Sequence, residues 1–237
     1  MKRNYWVGTL AAIIVLASAT HSFAALSFDG QSGVFLNPLA YTIKASGIET
    51  SAHTVDLDAL GSVQTYNLAF GLKGNVELGF TKYASNVTGV KDQNVFAGKW
   101  QFMPESKTSP ALALRAVQRT LVDGPSDTEF GISATKIVSV GKNPLVLDLG
   151  VRSTKSLGFG LFGVGSDRHT LFEGSAAFFV TKNFAVGTEF KQQIDARAWH
   201  DIAFRYVASP NLNLDFGIAN FNNALDNQVA FALTYSR

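Results

Sequence analysis

The sequence predicts an all-β fold, a single antiparallel up-and-down transmembrane β-barrel of about twelve strands. Three observations predict it. Large apolar residues alternate with small or polar ones along most of the chain, between clusters of Gly, Asn, Pro, Asp and Ser. Beyond the N-terminus no window reaches the roughly 18 consecutive apolar residues of a spanning helix, so a membrane would have to be crossed by strands closed into a barrel. Short and longer connections alternate in order, as when one rim carries tight turns and the other carries loops.

The first element is a targeting segment. Lys2 and Arg3 precede an apolar stretch from Trp6 to Ala19, and the small-residue site Ser22-Phe23-Ala24 follows before Ala25. This order predicts a signal peptide over residues 1–24 and a barrel domain over 25–237, starting at Ala25. Lys2 and Arg3 belong to the leader, so the remaining 18 basic residues balance the 18 acidic ones, and nothing marks a nucleic-acid partner. There is no cysteine, which excludes disulfides and thiolate metal sites.

Strands are expected near 33–43, 62–72, 76–83, 94–103, 110–120, 129–140, 145–153, 169–180, 184–194, 200–208, 212–221 and 228–236. The last is the clearest, with Val229, Phe231, Leu233 and Tyr235 on one face and Ala230, Ala232, Thr234 and Ser236 on the other. Tyr66 to Leu72 and Leu212 to Ile218 divide in the same way. The second face carries Gly, Ala and Ser as often as long charges, which suits a crowded or watery lumen better than a solvent-exposed sheet. Asn75, Asn143, Asn183 and Asn211 each introduce a strand after a short turn, a position where Asn tolerates left-handed backbone. The pattern puts both chain ends on the short-turn, periplasmic side and residues 44–61 and 154–168 on the cell surface.

With this alternating C-terminal strand, which serves that class as an assembly signal, the chain resembles Gram-negative outer-membrane barrels. The resemblance implies an outer-membrane location, contact with lipid and lipopolysaccharide, and handling by the barrel assembly machinery. The chain departs from the class at its end, which reads Tyr235-Ser236-Arg237 rather than closing on an aromatic. Gly30-Gln31-Ser32-Gly33-Val34-Phe35-Leu36-Asn37-Pro38-Leu39-Ala40 is similar to the opening of exopolysaccharide-associated outer-membrane barrels, which implies a role near polysaccharide secretion. The same Gly and Pro residues can equally serve only to shape a first strand.

Few residues suggest chemistry. His53, His169 and His200 are the histidines beyond the leader, and no Gly-x-Ser-x-Gly or His-Glu-x-x-His pattern occurs. A hydrolase of the outer-membrane phospholipase kind would need a Ser, a His and an orienting Asn or Asp on neighbouring strands. His200, between Trp199 and Asp201, reads as an interfacial residue. Gly158-Phe159-Gly160-Leu161-Phe162-Gly163 spells a dinucleotide-binding pattern without the strand and helix it requires, and reads as a mobile apolar loop that folds into the lumen or touches lipid. No cofactor is implied. Glu49, Asp56 and Asp58 are expected in one long loop, where carboxylates meet cations held by lipopolysaccharide, although a solvated acidic loop explains them as simply.

Charges on the inward parity are the candidate lumen lining: Glu77, Lys99, Arg115, Arg119, Asp148, Arg152, Glu173, Glu189, Lys191, Arg205 and Asp215. On the lipid face an Arg or Lys at mid-depth costs about 2–4 kcal/mol, which favours the inward side. Five acids against six bases describe either a salt-bridged interior or a weakly selective polar channel. The expected function is a narrow passive porin-like channel for small hydrophilic solutes. The alternative is a non-conducting structural or accessory barrel, with a connection to exopolysaccharide export, and an outer-membrane hydrolase is the third reading.

Overall fold

The structure is a computed structural model that describes residues 25–56, 61–158, 160–194, 196–220 and 228–237. Residues 1–24, expected as a signal peptide, lie outside the described residues, as do Asp58 and Phe159. Two short strands come first, β1 (Ala25–Leu26) and β2 (Ser32–Gly33). Twelve longer ones follow: β3 (Ile48–Asp56), β4 (Ser62–Leu72), β5 (Val76–Ser85), β6 (Gln93–Met103), β7 (Ala111–Leu121), β8 (Ser126–Val140), β9 (Asn143–Ser156), β10 (Val164–Thr181), β11 (Phe184–Gln193), β12 (Ala196–Ser209), β13 (Leu212–Asn220) and β14 (Gln228–Ser236). These twelve form a closed barrel in sequence order, and β14 pairs antiparallel with β3 to seal it.

The alternation sorts side chains by solvent. Tyr66, Leu68, Phe70 and Leu72 of β4 point outward, as do Phe231, Leu233 and Tyr235 of β14, while Ala230, Ala232 and Thr234 point in. Phe184, Phe204, Phe216 and Phe231 run across four neighbouring strands with ring centroids 5.1–6.3 Å apart. So much exposed apolar surface is untenable in water and is the outer belt of a barrel in lipid.

The expected first strand at 33–43 is not part of the wall. That place is taken by β3, and residues 25–43 fold inside the barrel as a plug. Leu26, Phe28, Val34, Phe35, Leu36 and Leu39 are all buried there, each worth about 1.5–3 kcal/mol of apolar burial. Val34, Phe35 and Leu36 are consecutive, so both faces of this segment need burial, and Pro38 has no N–H to give a ladder. A wall strand has one face in lipid and one in the lumen, and the lumen interior suits this segment better.

The wall yields space for it. A Cβ on Gly71 would stand 1.9 Å from the Lys44 carbonyl oxygen where the plug meets the rim, and one on Gly79 would stand 2.7 Å from the Gly30 carbonyl oxygen. Gly71 and Gly79 therefore seat backbone, while Gly131 and Gly150 make room for the side chains of Arg115 and Glu173.

Two loop expectations change with the first strand. Residues 44–61 contain β3 instead of forming one long surface loop, and β9 and β10 extend well into 154–168, leaving 157–163 as the connection. The tight turns use several devices. Asn75 takes the left-handed backbone at φ 57°, but at the next turn Gly141 does so, at φ 64°. At the others, hydroxyl oxygens of Thr181 and Ser209 accept the N–H groups of Asn183 and Asn211 at 3.2 and 3.3 Å. Side-chain acceptors supply there what backbone handedness supplies elsewhere.

Candidate functional site

The site is the barrel interior. All eleven charged residues selected by parity are buried there, and the structure joins them to the plug in two groups.

Toward the tight-turn end, wall side chains hold plug backbone. Glu189 accepts the N–H groups of Phe35, Leu36 and Asn37 at 2.7, 2.9 and 2.7 Å. Glu77 accepts from the Ser32 and Ile43 N–H groups at 2.9 and 3.0 Å and pairs with Lys99 at 3.3 Å. Lys99 in turn donates to the Ser32 and Leu39 carbonyls at 2.9 and 3.1 Å. Arg205 is tied to Asp215 at 2.6 Å and reaches the Val34 carbonyl at 3.2 Å. Asp148 accepts the Thr135 hydroxyl, whose oxygen takes the Ala40 N–H at 2.7 Å. A peptide segment buried without a partner strand leaves N–H and C=O groups unsatisfied, and these side chains supply much of what is missing.

Toward the loop end lies an ionic cluster. Arg119 grips the plug residue Asp29 with both terminal nitrogens, at 2.8 and 2.6 Å, and Tyr83 donates its hydroxyl to the same carboxylate. Glu173 meets Arg115 at 2.5 Å, Lys191 at 3.2 Å and Arg152 at 3.6 Å, while Glu129 bridges Arg152 at 3.2 Å and Arg115 at 3.4 Å. Leu161 of the 157–163 connection packs over this end in one apolar cluster with Phe28, Phe35, Tyr83 and Trp199. Its neighbour Phe162 remains exposed, so the described part of the glycine-rich stretch is a cap with one apolar finger outside. Val34 and Phe35 pack against the wall residues Ala177, Ala185 and Gly187, with a cavity of only about 10 Å³ between them.

Glu49, Asp127, Glu129 and Asp201, which are not among the eleven, are also buried on the inward face. The same two-residue step along β8 and β12 reaches Asp127, Glu129 and Asp201, whereas Glu49 lies in β3, where the sequence predicts a loop. With these four, nine buried wall acids face six bases instead of five facing six. Glu49 and Asp56 do not share a loop, and Asp58 lies outside the described residues. Glu49 is buried at one end of β3 and Asp56 ends the same strand, seven residues away, or about 23 Å at strand rise.

One contact resembles hydrolase machinery. Ser51 Oγ lies 2.9 Å from His53 Nε2, and Asn67 Nδ2 donates to the same Oγ at 2.9 Å. The order of a triad is not met, because the amide addresses the serine and not the far side of the imidazole. His53 also sits under the plug rings Phe28 and Phe35, at 6.0 and 5.6 Å. His200 is exposed on the outer face while its neighbour Asp201 points inward, so those two cannot act together.

A family model described as "Protein of unknown function (DUF3034)" matches residues 113–231, half of the chain. The chain belongs to this family. The DUF3034 match runs from β7 to β14 and takes in Arg115, Arg119, Arg152, Glu173, Glu189, Lys191, Arg205 and Asp215, whereas the plug precedes it. No curated protein matches the chain. Among solved structures it is similar to the KdgM porin, with TM-score 0.56 and 10% identity over 80% of this chain and 97% of that one. It is likewise similar to the NanC porin, with TM-score 0.56 and 7% identity over 79% of this chain and 97% of that one. These likenesses concern the fold. This DUF3034 protein has the fold of Gram-negative outer-membrane β-barrels.

Proposed function

We propose that the protein is a porin-like channel that stands closed, its lumen filled by residues 25–43, and that it passes small hydrophilic solutes when the plug leaves. The observation that carries this reading is the character of the wall behind the plug. Buried ion pairs are a poor way to hold a permanent core, since apolar residues of equal volume serve as well or better. A wall rich in Arg, Lys, Glu and Asp is a surface that water can occupy once the plug is gone. The KdgM porin, solved also in complex with disordered oligogalacturonate, supports a solute path through a barrel of this kind.

A second reading, a non-conducting accessory barrel, is favoured by the buried apolar anchors Phe28, Phe35 and Leu36 and by the small cavity beside Phe35. The stretch 30–40 that resembles exopolysaccharide-associated barrels lies in the plug, so under this reading the plug itself is the part concerned with export.

Planar-bilayer recording on the full chain separates the two. Glu189→Gln weakens the acceptor of three plug N–H groups and is expected to raise open time about tenfold. A Val34→Cys, Ala185→Cys pair, placed in one packed cluster, is expected to silence the pore until a reductant is added. Silence of the folded wild type and of Glu189→Gln alike selects the accessory barrel. The reading includes removal of residues 1–24, which N-terminal sequencing checks by an Ala25 start, and delivery to lipid and lipopolysaccharide by the assembly machinery.

A further inference from the structure

Asp29 is the sole charged residue between Ala25 and Ile43, and it goes to one place. Both its oxygens meet Arg119 in the paired geometry that guanidinium offers to carboxylates and phosphates, and the Tyr83 hydroxyl closes the third side. All three side chains are buried. Around them Arg115, Arg152 and Lys191 share the two wall carboxylates Glu129 and Glu173. The wall carboxylate Glu129 stands 4.0 Å from Arg119, so the plug carboxylate is the nearer anion and the one that fills both ends of its fork. When the plug leaves, Asp29 leaves with it, and the guanidinium fork faces the lumen.

We propose that Arg119, with Tyr83 and the surrounding Arg115, Arg152 and Lys191, is a binding site for a solute carboxylate, and that Asp29 occupies it in the closed state as a tethered stand-in. This rests on the closed-channel reading and names the solute class for it: small hydrophilic molecules bearing carboxylate groups. It also supplies a reason for opening. A carboxylate solute competes with Asp29 for the same fork, so its presence favours the state in which the plug is out. The proposal concerns a local site, because the wall as a whole holds more acids than bases.

Two measurements test it, one of them independent of conduction. In Asp29→Ala the lost carboxylate leaves room beside Arg119, and formate is expected to raise the unfolding midpoint of the folded barrel. Neither wild type nor Asp29→Ala, Arg119→Gln should respond. An equal response of all three to formate, or none in Asp29→Ala, overturns the site. In the second measurement, citrate added to conducting Glu189→Gln channels is expected to block them, with the half-blocking concentration rising about tenfold on adding Arg119→Gln, while sucrose has no effect. Channels that conduct but ignore citrate, or are blocked regardless of residue 119, refute the solute class and leave the channel intact. Channels that never conduct refute the channel reading, and the formate result then judges the carboxylate site alone.

Discussion

The segments 33–43 and 228–236 look alike in composition, both short, largely apolar and almost without charge, yet one lies in the lumen and the other in the wall. The difference is in parity. In 228–236 every large apolar side chain falls on one face and every small or polar one on the other, so a lipid side and a lumen side are both satisfied. In 33–43 the run Val34-Phe35-Leu36 spreads bulk to both faces and Pro38 interrupts the ladder, so the segment is best surrounded by protein. Apolar content alone does not decide where a segment goes; its period and its backbone donors do.

The largest expected effect comes from cutting the two segments at equivalent aromatic residues. Phe35→Ala removes a buried ring and is expected to cost about 3–5 kcal/mol in urea unfolding from detergent or lipid. Phe231→Ala, on the outer face at 53% exposure, should cost less than half of that. Equal losses would break the distinction between lumen and lipid surroundings. A charge tests the same boundary from outside. Leu149, 66% exposed at the middle of β9, should tolerate arginine at a cost of about 2–4 kcal/mol in a bilayer, although Arg152 stands buried and paired three residues along the strand.

A smaller effect concerns what holds the plug. Glu189→Gln should lower stability by about 1.5–3 kcal/mol, the range for hydrogen bonds to a charged group, with a matching rise in proteolysis within 25–43 on reconstituted barrels. The smallest change is one of labelling, clean because the chain has no cysteine. Asp167→Cys, exposed near the loop end, should react with an impermeant reagent on intact cells, and Lys182→Cys in a tight turn should not. Thr50→Cys should also stay unlabelled, because residue 50 lies in β3 near the turn end and not in a surface loop.

Eleven of the twelve wall strands were legible from the sequence because lipid on one side and a crowded lumen on the other enforce a strict period of two. The same period put Lys99, Arg115, Glu173 and their companions on the inner face. What local pattern does not carry is the partner across the lumen. Nothing near Glu189 in the chain announces that it will cap residues 35–37, about 150 positions earlier. Gly33, Pro38 and the apolar residues between them satisfy the composition of an edge strand, which is why the sequence predicts a strand over 33–43. Its true place depends on whether the barrel has room inside, which is a property of all twelve strands together.

The seal between β3 and β14 has a consequence for how the molecule is made. It joins the first wall strand to the last one translated, and β1 of the plug packs against both. Without Gln228–Ser236 the other eleven wall strands would form an open sheet with β13 and β3 at its edges, and residues 25–43 would be accessible from the side. Once that strand docks, the lateral route is shut, and what is inside can enter or leave only along the axis. The seam thus makes the plug a captive of the ring: with β14 paired to β3, residues 25–43 are enclosed on every side but the two rims.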